Sequence, residues 1–242
     1  MEASEYAAMR ALEDEYWWYR SLRSLVLRKI GNAERILDAG CGTGGMIDLL
    51  RDRKAVGIDQ SSDAIGLART RGGLRLCEAS ICNLPFRSAS FDAVLALDVI
   101  YHEAVPDDAA AIAECARVLR PGGEIVIHAP AYEWLAGSHD RATHGARRYT
   151  VPRIRDLVLS AGLQVRELTY RNFIALPFAI AVRRFKIRPP SSGGGSGGSD
   201  LRKLPAPINA LLAAASFLEN GCVGFPGIPA GLSVWCVAGK PS

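Results

Sequence analysis

Hydrophobic and polar positions along this chain alternate between two periods. Short apolar runs that end in small or polar residues are typical of buried parallel strands. Between these runs, apolar residues recur every three or four positions, as they do in amphipathic helices. The seven strand-like runs are RILDAG, AVGID, LRLCEA, FDAVLAL, EIVIHA, LQVRELTY and LSVWCVAG. The alternation predicts an α/β fold with a doubly wound, mostly parallel seven-stranded sheet of the Rossmann-like kind.

The chain is interpreted as a single domain, residues 1–242, with additions on either side of a core. Residues 1–32 carry two helical stripes and predict an N-terminal helical cover. Residues 33–172 form the predicted cofactor-binding core. A helical insertion at 173–230 precedes the last strand at 231–240, and within it residues 189–200 are a Gly/Ser-rich stretch typical of a flexible linker.

Composition excludes several classes of protein. With 49% hydrophobic and 22% charged residues, the 242-residue chain is neither fibrous nor wholly disordered. No apolar run reaches the roughly 20 residues of a membrane-spanning helix, and the acidic N-terminal segment resembles no signal peptide, so we expect a cytoplasmic protein. Six cysteines without a C-x-x-C pair predict no metal site. A net charge of +4 is too small to indicate a nucleic-acid partner.

A glycine-rich segment, ILDAGCGTGG, joins the first strand to the next helix. Its spacing also fits the G-x-G-x-x-G loop of dinucleotide-binding proteins. Asp38, just before the loop, argues against a dinucleotide, because its carboxylate would repel a diphosphate and attract a cation. Asp59 ends the second strand, where an acid accepts hydrogen bonds from ribose hydroxyls. A positively charged nucleoside without phosphates, such as S-adenosylmethionine, fits both acids.

Five segments then carry a family resemblance, in family order and spacing: ILDAGCGTGG, AVGIDQSSDAI, SICNLPF, SFDAVLALDVIYH and RVLRPGGEIVI. Over residues 16–172 the chain resembles class I S-adenosylmethionine-dependent methyltransferases. The flanking segments EYWWYRSLR and SHDRATHGARRYT are similar to a bacterial branch that acts on small molecules. The resemblance implies S-adenosylmethionine as the cofactor and S-adenosylhomocysteine as its product.

The resemblance also implies the cofactor contacts. The glycine-rich segment lines the methionine moiety, Asp59 holds the ribose, and Trp18 and Arg23 cover the cofactor from the N-terminal helices. Ser80 stands where family members usually place an acid for the adenine amino group, and Glu78 could substitute for it. The expected cofactor-binding residues are Asp38, Gly40, Cys41, Gly42, Gly44, Asp59, Gln60, Ser80, Ile81, Leu97, Trp18 and Arg23.

Candidate catalytic residues follow from the chemistry of methyl transfer. A base is needed only when the acceptor atom carries a proton that must leave, and histidine is the natural choice near neutral pH. We expect the bases among His102, His139 and His144, with Asp140 as their orienting partner; His128, within the fifth strand, is expected to be structural. The expected substrate-binding residues are Tyr101, Arg147, Arg148 and Tyr149. Ring packing and support of the loop are the alternative roles for these side chains.

The sequence therefore predicts methyl transfer from S-adenosylmethionine to O, N or C of a small molecule. A nucleic-acid substrate is not expected, because LDVIYH replaces the proline-aromatic turn that amino-directed nucleic-acid enzymes present after the fourth strand. Two alternatives stay open: a lipid or quinone methyltransferase at the membrane surface, suggested by the apolar-then-basic segment FIALPFAIAVRRFKIR, and a cofactor-binding protein that does not methylate. The sequence makes no prediction of oligomeric state.

Overall fold

The computed structural model describes residues 1–184, 204–224 and 227–242, and over these residues the chain forms a seven-stranded sheet. The sheet order is β3-β2-β1-β4-β5-β7-β6, and every pair is parallel except those that β7 makes with β5 and β6. The strands are β1 (Arg35–Ala39), β2 (Lys54–Asp59), β3 (Leu76–Glu78), β4 (Phe91–Leu97), β5 (Leu119–Pro130), β6 (Gln164–Arg171) and β7 (Ser233–Gly239). The predicted doubly wound architecture is confirmed.

Helices cover both faces of the sheet. They are α1 (Ala3–Leu12), α2 (Trp17–Ile30), α3 (Gly45–Asp48), α4 (Ser62–Arg69), α5 (Asp108–Val118), α6 (Ser138–Ala142), α7 (Val151–Ser160), α8 (Leu176–Arg184) and α9 (Ala206–Glu219). Ser61 caps α4 by accepting a hydrogen bond from the Ala64 N–H at 3.4 Å. Pro152 lies in the first turn of α7, where its missing N–H costs no hydrogen bond.

Three segments differ from the predicted elements. The helix after the glycine-rich segment is a single short turn, α3, whereas MIDLLRDR predicts a longer one. The Pro-Gly-Gly turn lies inside the bounds of β5, because Leu119 already pairs with Phe91 before a register shift. The segment expected as an open loop across the pocket contains a 3-10 turn, Glu133–Leu135, and α6. The predicted linker at 189–200 lies outside the described residues.

Two apolar clusters, one on each face, hold the sheet between the helices. One face packs Val94, Ile125 and Ile127 under α5 and α7, and the other packs Leu95, Val126 and Trp235 under α2. These side chains are excluded from water, which is the main favourable contribution to folding. The alternation of faces along β5 places His128 and Pro130 on the α2 side.

The outer surfaces of α8 and α9 carry large apolar side chains exposed to solvent. Phe178 is 75% exposed, Leu211 70% and Leu218 78%. Among the described residues, no helix combines the length and apolar character needed to cross a bilayer.

Candidate active site

A cavity of about 640 Å³ opens at the carboxyl ends of β1, β2 and β4. Helices α1 and α2 roof it, with Trp17, Trp18 and Tyr19 in the wall. Small-molecule sites in α/β folds form at this edge of the sheet, because the loops that leave the strands diverge there. The cavity brings together residues from both ends of the chain, since Leu232 and Ser233 line it too.

The glycine-rich segment borders this cavity, and two of its glycines have steric reasons to lack a side chain. Gly40 has φ +95°, and a Cβ there would lie 2.5 Å from Val99 Cγ2. A Cβ on Gly45 would lie 1.7 Å from Arg23 Nη2. At Gly40 the clash is with a short branched side chain and the positive φ already favours glycine, whereas at Gly45 the ends of Arg23 and Glu13 would have to move apart.

Asp38 is buried in the wall of the cavity, 2% exposed. Burial and, to a smaller extent, the charge of Asp59 raise the pKa of its carboxyl to about 7, and Arg23 opposes the shift. Within the described residues Asp38 has no ion-pair partner. The site therefore holds a carboxyl group whose ionised form a bound cation would favour.

Asp59 is fixed by the backbone around it. Its Oδ2 accepts a hydrogen bond from the Gly42 N–H at 2.9 Å, and its Oδ1 accepts one from the Ser61 N–H at 2.9 Å. Burial raises the pKa of Asp59, and these N–H groups act in the opposite direction. The carboxylate is oriented before any ligand binds, as a group that receives ribose hydroxyls must be.

A buried charge cluster fastens the N-terminal helices to the glycine-rich segment. Glu13 pairs with Arg23 and accepts a hydrogen bond from the Thr43 hydroxyl. Arg71 donates to Glu13 Oε1 at 2.6 Å, to the Thr43 carbonyl at 2.9 Å and to Asp48 at 2.8 Å. The sequence analysis missed Glu13 and Arg71, because 58 positions separate them and no motif connects them.

The expected adenine contacts divide into two groups. Gln60, Ile81 and Leu97 line the cavity, and Ala79 does so as well. Ser80 is not among the lining residues, and its hydroxyl accepts a hydrogen bond from the Cys82 N–H at 3.2 Å. Most of the other expected cofactor residues line the cavity: Trp18, Arg23, Asp38, Gly40, Cys41, Gly42 and Asp59. Gly44 does not. The N-terminal helix α1 contributes two further lining residues, Tyr6 and Met9.

His102 lines the cavity as expected, but its hydrogen bonds limit it as a base. Its Nδ1 accepts from the Ala104 N–H at 3.1 Å, which leaves Nε2 as the protonated nitrogen of a neutral ring. The Met1 amino group lies 2.9 Å from Nε2. Burial, the Met1 ammonium charge and His144 lower the pKa of His102 to about 4, so the ring is neutral at pH 7. Both ring nitrogens therefore contact groups of the chain itself.

The other loop candidates are arranged differently from expectation. His144 stacks on His102 with ring centroids 6.0 Å apart and pairs with Glu103, but it does not line the cavity. Asp140 lines the cavity and binds Arg148, with Nε–Oδ1 at 2.7 Å and Nη2–Oδ2 at 3.0 Å. The side chain of His139 lies outside the part of the chain that is described.

Only two of the four expected substrate-binding residues line the cavity. Tyr101 and Arg148 line the cavity; Arg147 and Tyr149 do not. Arg148 is engaged by Asp140 and donates to the Ala131 carbonyl at 2.9 Å, so it supports the loop. Tyr149 is fully buried, with its hydroxyl 2.9 Å from the Ile100 carbonyl and from Asp108 Oδ2. Arg147 approaches Asp108 at 3.7 Å. Tyr149 and Arg147 therefore pack and bond within the protein and do not face the cavity.

Comparison with known proteins supplies the family. A family model described as a methyltransferase domain matches residues 37–127. Residues 37–127 therefore form a methyltransferase domain. The chain's fold is also that of a possible histamine N-methyltransferase from Thermotoga maritima, with a TM-score of 0.63 and 18% identity over 98% of this chain and 95% of that one.

Two curated relatives share this methyltransferase domain. "Probable tRNA methyltransferase 9B" of Homo sapiens is 39% identical over 120 residues, which are 48% of this chain and 25% of that protein. A "Probable S-adenosylmethionine-dependent methyltransferase" of Mycolicibacterium smegmatis is 28% identical over 164 residues, 64% of this chain and 63% of that protein. The chain thus spans about a quarter of the length of the first relative and somewhat under two thirds of the second.

The cofactor of this methyltransferase domain is S-adenosylmethionine, and the residues present fit it. The buried Asp38 carboxyl forms no ion pair with any residue that the structure describes, which suits a ligand that carries an ammonium group and a sulfonium. Gly40 and Gly45 keep the adjoining backbone free of side chains, and Asp59 is oriented by two N–H groups. The carboxylates in the wall, those of Asp38, Asp59 and Asp98, would repel a diphosphate.

Asp98 is a lining residue that the sequence analysis missed. It follows β4 directly, has φ +50°, and presents a side chain that is 32% exposed. Its Oδ1 lies 2.9 Å from His128 Nδ1, and its N–H donates to the His128 carbonyl at 2.8 Å. His128 is fully buried beside Trp18, with ring centroids 5.8 Å apart. His128 is therefore structural as expected, and it acts on a carboxylate that faces the cavity.

Proposed function

We propose that this protein transfers the methyl group of S-adenosylmethionine to an O, N or C atom of a small molecule bound in the cavity beneath α1 and α2. The single observation that carries the proposal is the cavity itself. Its 640 Å³ lie within the range of small-molecule sites, and aromatic side chains from α2 shield it from water. The cofactor supplies a methyl group already activated by the sulfonium.

The protein's contribution is alignment, exclusion of water and removal of a proton. Trp17, Trp18 and Tyr19 in the roof exclude water from the space between cofactor and acceptor. For an acceptor that carries a hydroxyl or ammonium, we propose Asp98 as the general base. His128 Nδ1 lies 2.9 Å from Oδ1 and so orients the carboxylate, while Oδ2 makes no hydrogen bond within the described residues.

An RNA acceptor is the second candidate, supported by the relatives named as tRNA methyltransferases. The charges of the cavity argue against it. Asp38, Asp59 and Asp98 line the wall, and the arginines that line it, Arg23 and Arg148, are already paired with carboxylates. A phosphate backbone gains affinity from unpaired lysine and arginine, which this entrance does not offer among the described residues.

A lipid or quinone acceptor remains an alternative, supported by the exposed apolar side chains of α8 and α9. Ala179 of α8 lines the cavity, so the same helix that carries the exposed Phe178 also borders the site. The alternative without methyl transfer has no feature of the described residues in its favour beyond the cofactor site that both share.

The test is a labelling experiment with an isotopically labelled methyl group on S-adenosylmethionine. The purified protein is incubated with a small-molecule extract, with total tRNA and with a lipid extract in parallel, and mass spectrometry locates the label. We expect label in a small molecule and none with Asp98→Asn. Label confined to tRNA or to lipid would replace the proposal with the corresponding alternative. The Asp38→Asn variant serves as a control that removes the cofactor contact.

A further inference from the structure

Arg171, the last residue of β6, is a buried cation with an unsatisfied donor. It is fully buried, and no carboxylate oxygen of the described residues lies within 4.0 Å of its guanidinium. Its Nε donates to Asn220 Oδ1 at 3.1 Å and its Nη2 to the Ser21 hydroxyl at 2.6 Å. Within the described part of the chain, its Nη1 has no hydrogen-bond partner.

A buried guanidinium in this state is costly. Burial lowers the pKa of Arg171 to about 10, and the more distant charges of Glu219 and Asp98 oppose that shift, so the group stays charged at neutral pH. Buried arginines are normally paired with an anion, because the loss of hydration must be compensated. Two neutral oxygens do not provide that compensation. An anionic partner from outside the chain would.

Arg171 does not itself line the cavity, but it lies beside residues that do. In the register of β6 and β7 it lies opposite Ser233, on the same face of the sheet. Ser233 lines the cavity, and its hydroxyl is buried and has no hydrogen-bond partner among the described residues. Ser21, which holds Nη2, lies one helical turn after Trp18 on α2, and Trp18 lines the cavity as well.

On the premise of the methyl transfer proposed above, we propose that the acceptor carries a carboxylate and that Arg171 and Ser233 bind it at the β7 side of the cavity. The sheet order sets this place apart from the glycine-rich segment, since β4 and β5 lie between β1 and β7. One end of the acceptor would then contact these two donors while its nucleophile faces Asp98.

Charge and donor number favour a carboxylate over a phosphate. The free donors are the Nη1 group and one hydroxyl, which match the two oxygens of a carboxylate. Asp98 is near enough for its charge to act on Arg171, so the second negative charge of a phosphate would be repelled. Arg171 and Ser233 are positioned to discriminate between an acid and its neutral amide.

The experiment measures that discrimination with three matched pairs of aromatic probes, chosen because the cavity walls are aromatic. They are benzoate and benzamide, phenylacetate and phenylacetamide, and indole-3-acetate and indole-3-acetamide. Each is titrated into the full-length protein saturated with S-adenosylhomocysteine, with ligand-observed NMR as the readout. We expect at least one acid to bind at least about tenfold more tightly than its amide, the usual effect of a hydrogen bond to a charged group.

Ser233→Ala is the central variant, because the hydroxyl makes no hydrogen bond to any described residue and its loss should leave the melting temperature unchanged. We expect it to reduce the preference for the acid by about threefold to tenfold. Arg171→Gln should abolish the preference. The matched control is Ser160→Ala, whose exposed hydroxyl bonds only the Leu157 carbonyl on α7; it should bind like the wild type.

Three results would overturn the inference: no acid binds at millimolar concentration, no acid binds more tightly than its amide, or the preference survives in Ser233→Ala. Binding of S-adenosylhomocysteine, measured first by calorimetry, separates this failure from failure of the proposed function. If the cofactor product binds and the acids do not discriminate, only the carboxylate subsite is lost. If the product itself does not bind, the proposed function fails.

Discussion

The two halves of the site are built in different ways. In the cofactor half, Asp59 and Gly42 are bonded over a separation of 17 residues, between adjacent strand-loop units, and the longest bond of the charge cluster spans 58 residues. In the acceptor half, Arg171 and Ser21 are bonded over 150 residues, and α2, β6, β7 and the residue after α9 meet there. Local geometry fixes the first half. Long-range packing fixes the second, which leaves it free to differ between proteins that share a cofactor.

The largest expected effect concerns the acceptor half. Replacing Asp98 with Asn removes the proposed base and keeps the size of the side chain. With the acceptor found by labelling, turnover should fall by about 10² to 10⁴-fold, the usual contribution of general-base catalysis. Affinity for S-adenosylhomocysteine, measured by calorimetry, should change less than about threefold. A variant with normal turnover would show that the acceptor loses its proton to another group or to water.

A smaller effect is expected in the cofactor half. Asp38→Asn removes the negative charge that faces the cation, so affinity for S-adenosylhomocysteine should fall by about 10 to 150-fold, as for a lost hydrogen bond to a charged group. Isothermal titration calorimetry gives the value. The matched control is Asp52→Asn, an exposed turn position outside the cavity, which should bind normally. Equal affinity in both variants would contradict the role of Asp38.

The pH dependence of cofactor binding is a second test of the role of Asp38 in the cofactor half. Burial, with the charge of Asp59, raises the pKa of Asp38 from 3.8 to about 7, so the carboxyl is largely protonated below pH 7 in the free protein. A cation binds the ionised form, and affinity for S-adenosylhomocysteine should fall up to about tenfold for each pH unit below 7. Asp38→Asn should flatten the profile. A pH-independent wild-type affinity would contradict the shift.

The same shift predicts a change in stability. Because the folded protein binds the Asp38 proton more tightly than the unfolded chain, its free energy of unfolding should decrease as pH rises from about 4 to 7 through this group. Denaturant titration of wild type and Asp38→Asn separates this contribution from those of other carboxyls.

The smallest effect is expected on the outer surface of the acceptor half. Phe178→Gln and Leu218→Gln replace side chains that are 75% and 78% exposed, so stability should change by less than about 0.5 kcal/mol, or roughly 2 °C in melting temperature. Wild-type protein should stay in the supernatant with anionic vesicles. Sedimentation that weakens with salt and is lost in both variants would favour the lipid alternative.

The sequence predicted the elements of the fold because buried parallel strands leave a strong local signal. FDAVLAL coincides with β4, and the order of all seven strand-like runs is the order found. The shortness of α3 was not predictable, since MIDLLRDR has helical composition and the tertiary contacts of Arg51 and Arg71 at Asp48 decide where it stops.

In the site, most residues of the glycine-rich segment and of the end of β2 were located, whereas Ser80 and Gly44 do not line the cavity and Asp98 was missed. Asp38, Gly40 and Asp59 line the cavity where the loop pattern predicts them. Asp98 went unnoticed because the sequence does not show that β5 places His128 beside it. Arg147 and Tyr149 flank Arg148 in the chain, but both side chains interact with Asp108 on α5 and so do not face the cavity. The sequence does not show this long-range contact.

The antiparallel strand β7 has a consequence for how the molecule is made. It is the last strand in chain order, yet it lies between β5 and β6 and hydrogen-bonds to both. During synthesis every strand of the cofactor half leaves the ribosome before β7 can insert between β5 and β6. The cofactor half can therefore form while the gap between β5 and β6 is still open, and the acceptor half is complete only once β7 has been inserted.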